Sequence, residues 1–343
     1  MQARISIVKT VRPKLRTETS MHCSGLFLNE RAIATLKEKN YCVEDRLLDG
    51  DAPKQFIRVY TYTPDSGIHR KSPKTWIPYI AKTAEKWYPH ESVVEFMINR
   101  IGQVLALNMN EVELFWINGQ IRFLSRYFLK SSETLTHGAE ICGEYLNDMD
   151  LAAEIANEKK TSRELFTFQF IEKAIVAKFD GQTKTLMTEI VKMIVYDGLV
   201  GNNDRHFYNW GVITNTKKLN TQPRFAPIYD SARGLLWNSS DEWIRNNLGA
   251  MSRGGKKVER YINDACPRIS IEDNSEIDHF GLIGYLKNYS SEYDVIIKEM
   301  SSPENEERIL EMLKKEFFPF FIVERCKLIE YIVKERFKKI RGL

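Results

Sequence analysis

Polar side chains suited to chemistry cluster in the middle of the chain. The segment 201–209 reads G-N-N-D-R-H-F-Y-N, so Asp204 and Asn209 stand five residues apart, after a predicted helix and before a predicted strand. A second predicted strand ends in I-Y-D-S, which places another carboxylate, Asp230, at its end. Asp and Asn are also common in ordinary loops, so the interpretation depends on the combination of both segments.

This set of side chains suits the transfer of a phosphoryl group. That reaction needs a carboxylate that orients the attacking hydroxyl or accepts its proton, and hard oxygen ligands that hold Mg²⁺ against the phosphates. We therefore predict that Asp204 is catalytic and that Asn209 and Asp230 bind magnesium. A zinc or hydrolase site on Asp204, His206 and Asp230 is the alternative, although a further histidine with ligand spacing is lacking.

The part of the chain before this segment predicts a small antiparallel sheet with one packed helix. Apolar side chains recur at intervals of three and four residues between 90 and 105, which predicts the helix. Asn118 and Gly119 form the dipeptide that favours a tight hairpin turn. β-Branched and aromatic residues predict four strands, at 56–62, 76–82, 112–117 and 120–126.

The part of the chain after residue 128 is predicted to be mainly helical. Helices are expected at 163–179, at 183–199 and through most of the tail from 278, with two short strands at 210–214 and 225–229. A short helix is also expected near residues 30–39. The sequence thus predicts an α+β fold with three parts: an N-terminal extension (1–55), an N-lobe with a small antiparallel β-sheet and one helix (56–128), and a larger, mainly α-helical C-lobe (129–343).

The segment G-N-N-D-R-H-F-Y-N, followed by P-I-Y-D at 227–230, resembles the signature of HipA-like serine/threonine kinases. It is also similar to the G-x-x-D-R-H-x-x-N catalytic loop of phosphoinositide 3/4-kinases. The likeness covers about residues 56–235 by the order of elements. It implies a two-lobed protein-kinase-like fold, ATP and Mg²⁺ as cofactors, and transfer to a serine or threonine hydroxyl of a protein substrate. In this family Asp204 matches the catalytic aspartate, and Asn209 and Asp230 match the magnesium ligands.

The resemblance also assigns residues that contact the nucleotide phosphates. Lys82, at the end of a predicted strand, is expected to contact the α- and β-phosphates, with Lys86 as the alternative. Glu91 is expected to pair with that lysine, and Glu95, one turn further along the helix, is the alternative. His206 is also expected to contact the nucleotide, because it lies within the catalytic loop.

The adenine is expected at the junction of the two lobes. The segment L-S-R-Y-F at 124–128 falls there and would hold the base by backbone hydrogen bonds, with Ser125 and Tyr127 as the contacting residues. The same residues would otherwise be ordinary core between the lobes.

The loop of residues 66–72 is expected to cover the phosphates through Gly67 and Lys71. HipA-like kinases have a more glycine-rich stretch there, ending in lysine, and tend to carry an autophosphorylated serine in it. Ser66 and Ser72 are therefore the expected autophosphorylation sites. A phosphate adds roughly −1.5 to −2 charges, so it would compete with ATP for Arg70 and Lys71.

Composition limits the remaining classes. The net charge of +4 comes from interspersed charges rather than from a basic cluster, so direct nucleic-acid binding is not expected. The cysteines are scattered and lack a C-x-x-C pair, which argues against a disulfide framework and a structural zinc site. No apolar stretch resembles a signal peptide or a membrane span, so a cytoplasmic protein is expected. A secretion route without a cleaved signal would leave no trace in this sequence.

Two other functions compete with a protein kinase. A phosphoinositide kinase would need a membrane-docking segment, for which the basic cluster at 334–341 is the one candidate. A nucleotide-binding pseudokinase would hold a partner without catalysis, but the retained catalytic and metal-binding side chains argue against it. The resemblance also implies an antitoxin-like protein partner.

Overall fold

A five-stranded antiparallel sheet forms the N-terminal lobe. The computed structural model describes residues 13–46, 54–61, 67–218, 221–251 and 256–343, without the side chains of 248–251. A short parallel pair, β1 (His22–Cys23) with β5 (Trp87–Tyr88), lies beside it. In spatial order the five strands are β2 (Tyr41–Glu44), β3 (Lys54–Val59), β4 (Ile77–Thr83), β7 (Gln120–Arg126) and β6 (Val112–Ile117).

The register of this sheet decides which loops lie at which end. Lys54 is paired with Lys82, and Val59 is paired with Ile77. The connection from β2 to β3 therefore starts and ends at the Lys82 end of the sheet, whereas the connection from β3 to β4 lies at the other end. With about 3.3 Å per strand residue, these two ends are about 16 Å apart.

The long helix α1 (His90–Val104) packs on the N-lobe sheet as predicted. Its buried face includes Val94, Met97, Ile98 and Ile101, the side chains at the predicted spacing. The strands β6 and β7 have the predicted bounds, and their turn contains Asn118 and Gly119 with φ of 51° and 77°. The positive φ angles explain this dipeptide, because a type I′ turn requires them at both central positions.

The C-terminal lobe is mainly helical. At the junction with the N-lobe lies a three-stranded antiparallel sheet of β10 (Arg224–Phe225), β9 (Gly211–Asn215) and β8 (Glu133–His137). The helices are α2 (Gly138–Leu146), α3 (Met149–Asn157), α4 (Lys159–Leu165), α5 (Phe168–Phe179), α6 (Thr183–Val200), α7 (Asp241–Met251), α8 (Lys256–Asp264), α9 (His279–Tyr289), α10 (Ser291–Met300), α11 (Pro303–Glu316) and α12 (Val323–Arg341). Within the described residues, none of these helices combines the length and apolarity that a membrane span requires.

The helix α6 runs through the centre of this lobe, and its last residues are completely enclosed. It ends at Gly201, which has φ of 69°, in the left-handed region where glycine is favoured. A Cβ atom at this position would also lie 2.7 Å from the Tyr261 hydroxyl oxygen. Gly201 therefore terminates the helix and turns the chain into the segment that carries Asp204.

Three predictions about the chain's divisions are wrong. The boundary at residue 55 divides the N-lobe, because β2 and Lys54 belong to the five-stranded sheet. The predicted helix near 30–39 is replaced by two single 3₁₀ turns, Glu30–Ala32 and Glu38–Asn40. The predicted helix 163–179 is two helices, because Thr167 caps a new one by accepting the N–H of Phe170.

Candidate active site

The side chain of Lys82 connects both lobes at one point. Its Nζ lies 3.1 Å from Oε1 of Glu95 on α1 and 2.8 Å from Oδ1 of Asp230, which follows β10 in the C-lobe. Lys82 and Glu95 are only 14% and 8% exposed, whereas Asp230 is 38% exposed. A strand, a helix and a loop thus meet at one ion-pair cluster, with the Asp230 carboxylate on its open side.

The charges in this cluster depend on one another. Burial by itself would lower the pKa of Lys82, but the carboxylates of Asp230 and Glu95 outweigh it and raise that pKa. Burial would raise the pKa of Asp230, but Lys82 outweighs it and lowers that pKa. Burial does raise the pKa of Glu95, even beside Lys82. Lys82 and Asp230 therefore form the charged pair at neutral pH, and Glu95 contacts Lys82 from helix α1.

The prediction that Glu91 pairs with Lys82 is wrong. The Oε2 atom of Glu91 accepts the backbone N–H groups of Lys86 and Trp87, both at 2.9 Å. Because α1 begins at His90, Glu91 lies in its first turn and reaches the preceding chain. The carboxylate one turn later, on Glu95, faces the sheet and reaches Lys82.

The segment that holds the predicted catalytic residues is a tight turn. The Nδ2 atom of Asn209 donates to the carbonyl oxygen of Asp204 at 3.1 Å, and the N–H groups of His206 and Asn209 donate to the carbonyls of Asp204 and His206. Burial lowers the pKa of His206, although Asp204 and Asp230 act in the opposite direction. His206 thus lies in the field of both aspartates, and Asn209 is buried between them and the lobe interior.

Arg205 holds this turn against the segment that carries Asp230. Its guanidinium forms a bidentate ion pair with Asp197 of α6, with two contacts of 2.9 Å between side chains only 3% and 4% exposed. Its Nη1 donates to the carbonyls of Asn209 (3.2 Å) and Tyr229 (2.6 Å), and its Nη2 donates to Oγ of Ser231 (2.6 Å). Sequence reasoning assigned Arg205 no role, although its place within D-R-H was the available signal.

The backbone at Asp230 is strained, with φ of 53° for a residue other than glycine. The preceding residue is fixed, since the Tyr229 hydroxyl donates to the carbonyl of Tyr208 at 2.9 Å and lies 3.1 Å from Nδ1 of His137. These contacts and the Arg205 bond to the Tyr229 carbonyl determine the direction of the chain. The strain is thereby maintained at the residue that contacts Lys82.

Two arginines hold the carboxylate of Asp204. The Nε atom of Arg233 lies 3.0 Å from Oδ2, and Nη2 of Arg268 lies 3.0 Å from Oδ1. Both carboxylate oxygens of Asp204 are therefore paired with cations in this structure. No group of three His, Cys, Asp or Glu side chains able to hold a metal ion occurs among the described residues.

A cavity of about 430 Å³ opens where the lobes meet, within the size range of small-molecule sites. Tyr127 lines it with its side chain, while its N–H donates to the carbonyl of Pro78 at 3.0 Å. Ser125 lies behind it, with Oγ accepting from Nδ2 of Asn110 at 2.8 Å. The structure thus brings Tyr127 to this cavity but not Ser125. The full lining is Lys54, Ile80, Tyr127, Leu129, Glu133, Thr134, Leu135 and His137.

The predicted phosphate-covering loop is at the wrong end of the sheet. Gly67, Lys71 and Ser72 lie in the connection from β3 to β4, which leaves the sheet opposite to Lys82. The proposed competition between a phosphoserine and ATP for Arg70 and Lys71 therefore loses its geometric basis. Ser66 lies outside the described residues.

Lys54 is a cationic residue that sequence reasoning missed. It is the first residue of β3, is paired with Lys82 and lines the cavity. Burial raises the pKa of Asp230, whereas Lys82 and, to a smaller extent, Lys54 lower it. The signal was present in D-G-D-A-P-K at 49–54, a turn sequence with a glycine that ends in lysine just before a strand. Residues 47–53 of this connection are outside the described residues.

A two-lobed α+β fold, in which a strand lysine pairs with one helix carboxylate and one loop carboxylate at the lobe junction, defines a kinase-like protein. The chain belongs to the family of the HipA-like C-terminal domain, which matches residues 47–302. No match was found among curated proteins.

Two solved structures match this chain, and the first is similar to it in fold. The Helicobacter pylori proinflammatory kinase CtkA has a TM-score of 0.61 and 16% identity, and the match covers 77% of this chain and 87% of that chain. The Shewanella oneidensis MR-1 protein HipA, solved with HipB and its operator DNA, has a TM-score of 0.44 and 12% identity. That match covers 77% of this chain and 58% of HipA.

Proposed function

We propose that this protein is an ATP-dependent kinase that phosphorylates serine or threonine hydroxyls of a protein. The observation that carries the proposal is the position of Lys82, 3.1 Å from Glu95 and 2.8 Å from Asp230. A buried lysine held between two carboxylates at a cleft is suited to contact phosphates when the more exposed carboxylate turns to a metal.

The cavity and its neighbours suit a magnesium nucleotide. The apolar side chains of Ile80, Leu129 and Leu135 would enclose the adenine, and Lys54 and Lys82 would contact the phosphates. Asn209 and Asp230 offer the amide and carboxylate oxygens that Mg²⁺ prefers, with phosphate oxygens and water completing its shell. When bound, Mg²⁺ would neutralise phosphate charge and orient the transferred group.

In the proposed reaction, Asp204 orients the substrate hydroxyl and accepts its proton. The hydroxyl oxygen forms a bond to the γ-phosphorus as the bond from that phosphorus to the bridging oxygen of the β-phosphate breaks, and ADP leaves. Arg205 fixes the position of Asp204 relative to Asp230, because it donates to the Asn209 carbonyl and to Oγ of Ser231, which follow these two aspartates in the chain.

Transfer of phosphate from labelled ATP, followed by analysis of the phosphorylated amino acids, tests this function. The parent protein should label serine or threonine on itself or on a mixed peptide library. Asp204→Ala should bind nucleotide but transfer roughly 10²–10⁴-fold more slowly. Nucleotide binding without transfer would indicate a binding module, and transfer only to phosphoinositide vesicles would indicate a lipid kinase.

An antitoxin-like partner is part of the proposal on the ground of family membership alone. HipA of Shewanella oneidensis was solved in complex with HipB. Co-purification of a small protein encoded beside this chain, with inhibition of phosphate transfer on mixing, would support such a partner.

A further inference from the structure

The arginines at Asp204 come from two loops outside the catalytic turn. Arg233 lies three residues after Asp230, and Arg268 follows α8. Together they occupy both carboxylate oxygens of Asp204, which is itself 17% exposed. Each arginine takes one acceptor position on an oxygen and covers part of the carboxylate, so the release of one arginine opens Asp204 to a hydroxyl.

Arg268 has hydrogen-bonding capacity left over. Its Nη2 pairs with Asp204, whereas Nε and Nη1 are buried without a partner among the described residues. Buried polar groups are nearly always hydrogen-bonded, because an unsatisfied one retains its cost of desolvation. Arg268 is therefore arranged to bind an acceptor in addition to, or in place of, Asp204.

Cations outnumber carboxylates at this position. Lys159, the first residue of α4, lies close enough that partial desolvation and then the Arg268 guanidinium lower the pKa of its ammonium. Arg233 and Arg268 thus pair with the single carboxylate of Asp204, and Lys159 adds a third positive charge near Arg268. An additional anion would balance their charge.

We propose that Arg268 and Arg233 form a subsite for an acidic side chain of the protein substrate, close to the serine or threonine that is phosphorylated. The proposal rests on the kinase function above. A substrate carboxylate that pairs with Arg268 replaces Asp204 in that ion pair, so an oxygen of Asp204 becomes free for the hydroxyl. The same contact would select the substrate and release the catalytic group.

The nucleotide phosphates have other cations available. Lys54 and Lys82 act on Asp230, whereas Arg233 and Arg268 pair with Asp204. The two groups of cations thus face two different carboxylates. This division favours the substrate over ATP as the source of the anion at Arg268.

Short synthetic peptides with one serine, in which one neighbouring position carries Asp, Ala or Arg, test the subsite. The parent should prefer Asp at one position by roughly tenfold in kcat/KM. Arg268→Gln should remove this preference and leave the KM for ATP unchanged. Arg268→Glu should favour the Arg peptide, and Arg233→Gln should act like Arg268→Gln but more weakly. Arg341→Gln, which breaks a partly exposed pair with Glu306, is the matched control.

Two outcomes would overturn the subsite while the kinase function stands. One is an unchanged peptide preference in Arg268→Gln and Arg233→Gln. The other is a raised KM for ATP with the preference intact, which would assign the arginines to the nucleotide. If the parent transfers no phosphate, the subsite is tested by peptide binding instead. Fluorescence anisotropy of a labelled Asp peptide, with Mg²⁺ and a non-hydrolysable ATP analogue present, measures this binding. Binding lost in Arg268→Gln would support the subsite alone, and equal binding of Asp and Ala peptides would overturn it.

Discussion

The two aspartates of the cleft are both neutralised by cations, but the cations differ in kind and origin. Asp230 pairs with Lys82 from the N-lobe sheet, whereas Asp204 pairs with Arg233 and Arg268 from loops of the C-lobe. A lysine presents a compact charge on a flexible stem, and an arginine presents a planar fork suited to carboxylates. This difference fits the two proposed roles, in which the Asp230 site binds the nucleotide phosphates between the lobes and the Asp204 site binds the protein substrate.

Arg205 is the residue that joins the two sites, and its removal should have the largest effect. Arg205→Leu leaves the buried Asp197 carboxylate without its cationic partner and with the Asn202 amide as its remaining side-chain donor, so we expect the free energy of unfolding to fall by about 3–5 kcal/mol. Arg100→Gln, which breaks a half-exposed bidentate pair with Glu316, should cost about 1 kcal/mol or less. Denaturant unfolding measures both, and equal small losses would show that Arg205 does not anchor the cleft.

The Asp230 site can be examined through two glutamates one turn apart. Glu95→Gln replaces the carboxyl group that contacts Lys82 with an amide, so Lys82 is held less firmly and kcat/KM for ATP should fall roughly tenfold, or about 1.4 kcal/mol. Glu91→Gln keeps an oxygen for the N–H groups of Lys86 and Trp87 and should change kcat/KM by less than about twofold. Steady-state kinetics of the two variants would contradict the assignment if Glu91→Gln had the larger effect.

The smallest effect is expected where the two ends of the N-lobe sheet are compared. Lys54→Ala should raise the KM for ATP roughly threefold to tenfold, because Lys54 lines the cavity proposed for the nucleotide. Lys71→Ala, on the loop about 16 Å away by strand length, should leave that KM unchanged. A raised KM in Lys71→Ala alone would restore the loop 66–72 as the phosphate-covering loop.

The sequence predicted best what is determined locally. Asp204, Asn209 and Asp230 lie in two short segments, and the structure places both segments at one cleft because Arg205 bridges them. Their catalytic and metal-binding roles stay predictions. The two lobes and the bounds of β6 and β7 also followed from local patterns of apolar residues and one turn dipeptide.

What depends on long-range pairing could not be predicted in the same way. The choice between Glu91 and Glu95 depends on which turn of α1 lies beside Lys82 in the folded lobe, because the predicted and the observed helix both begin at about residue 90. The choice between Lys54 and Lys71 depends on the strand register, which the sequence does not show directly. Arg233 and Arg268 lie 29 and 64 residues after Asp204 in the chain, so no local sequence pattern connects them to it.

Magnesium-dependent binding of a non-hydrolysable ATP analogue, measured by calorimetry, tests the division between the two aspartates most directly. The account predicts that Mg²⁺ strengthens binding to the parent and to Asp204→Ala, and that Asp230→Asn loses most of this strengthening because the negative charge of a metal ligand is removed. Equal magnesium dependence in the parent and in Asp230→Asn would contradict the account, since the nucleotide and its metal would then bind elsewhere.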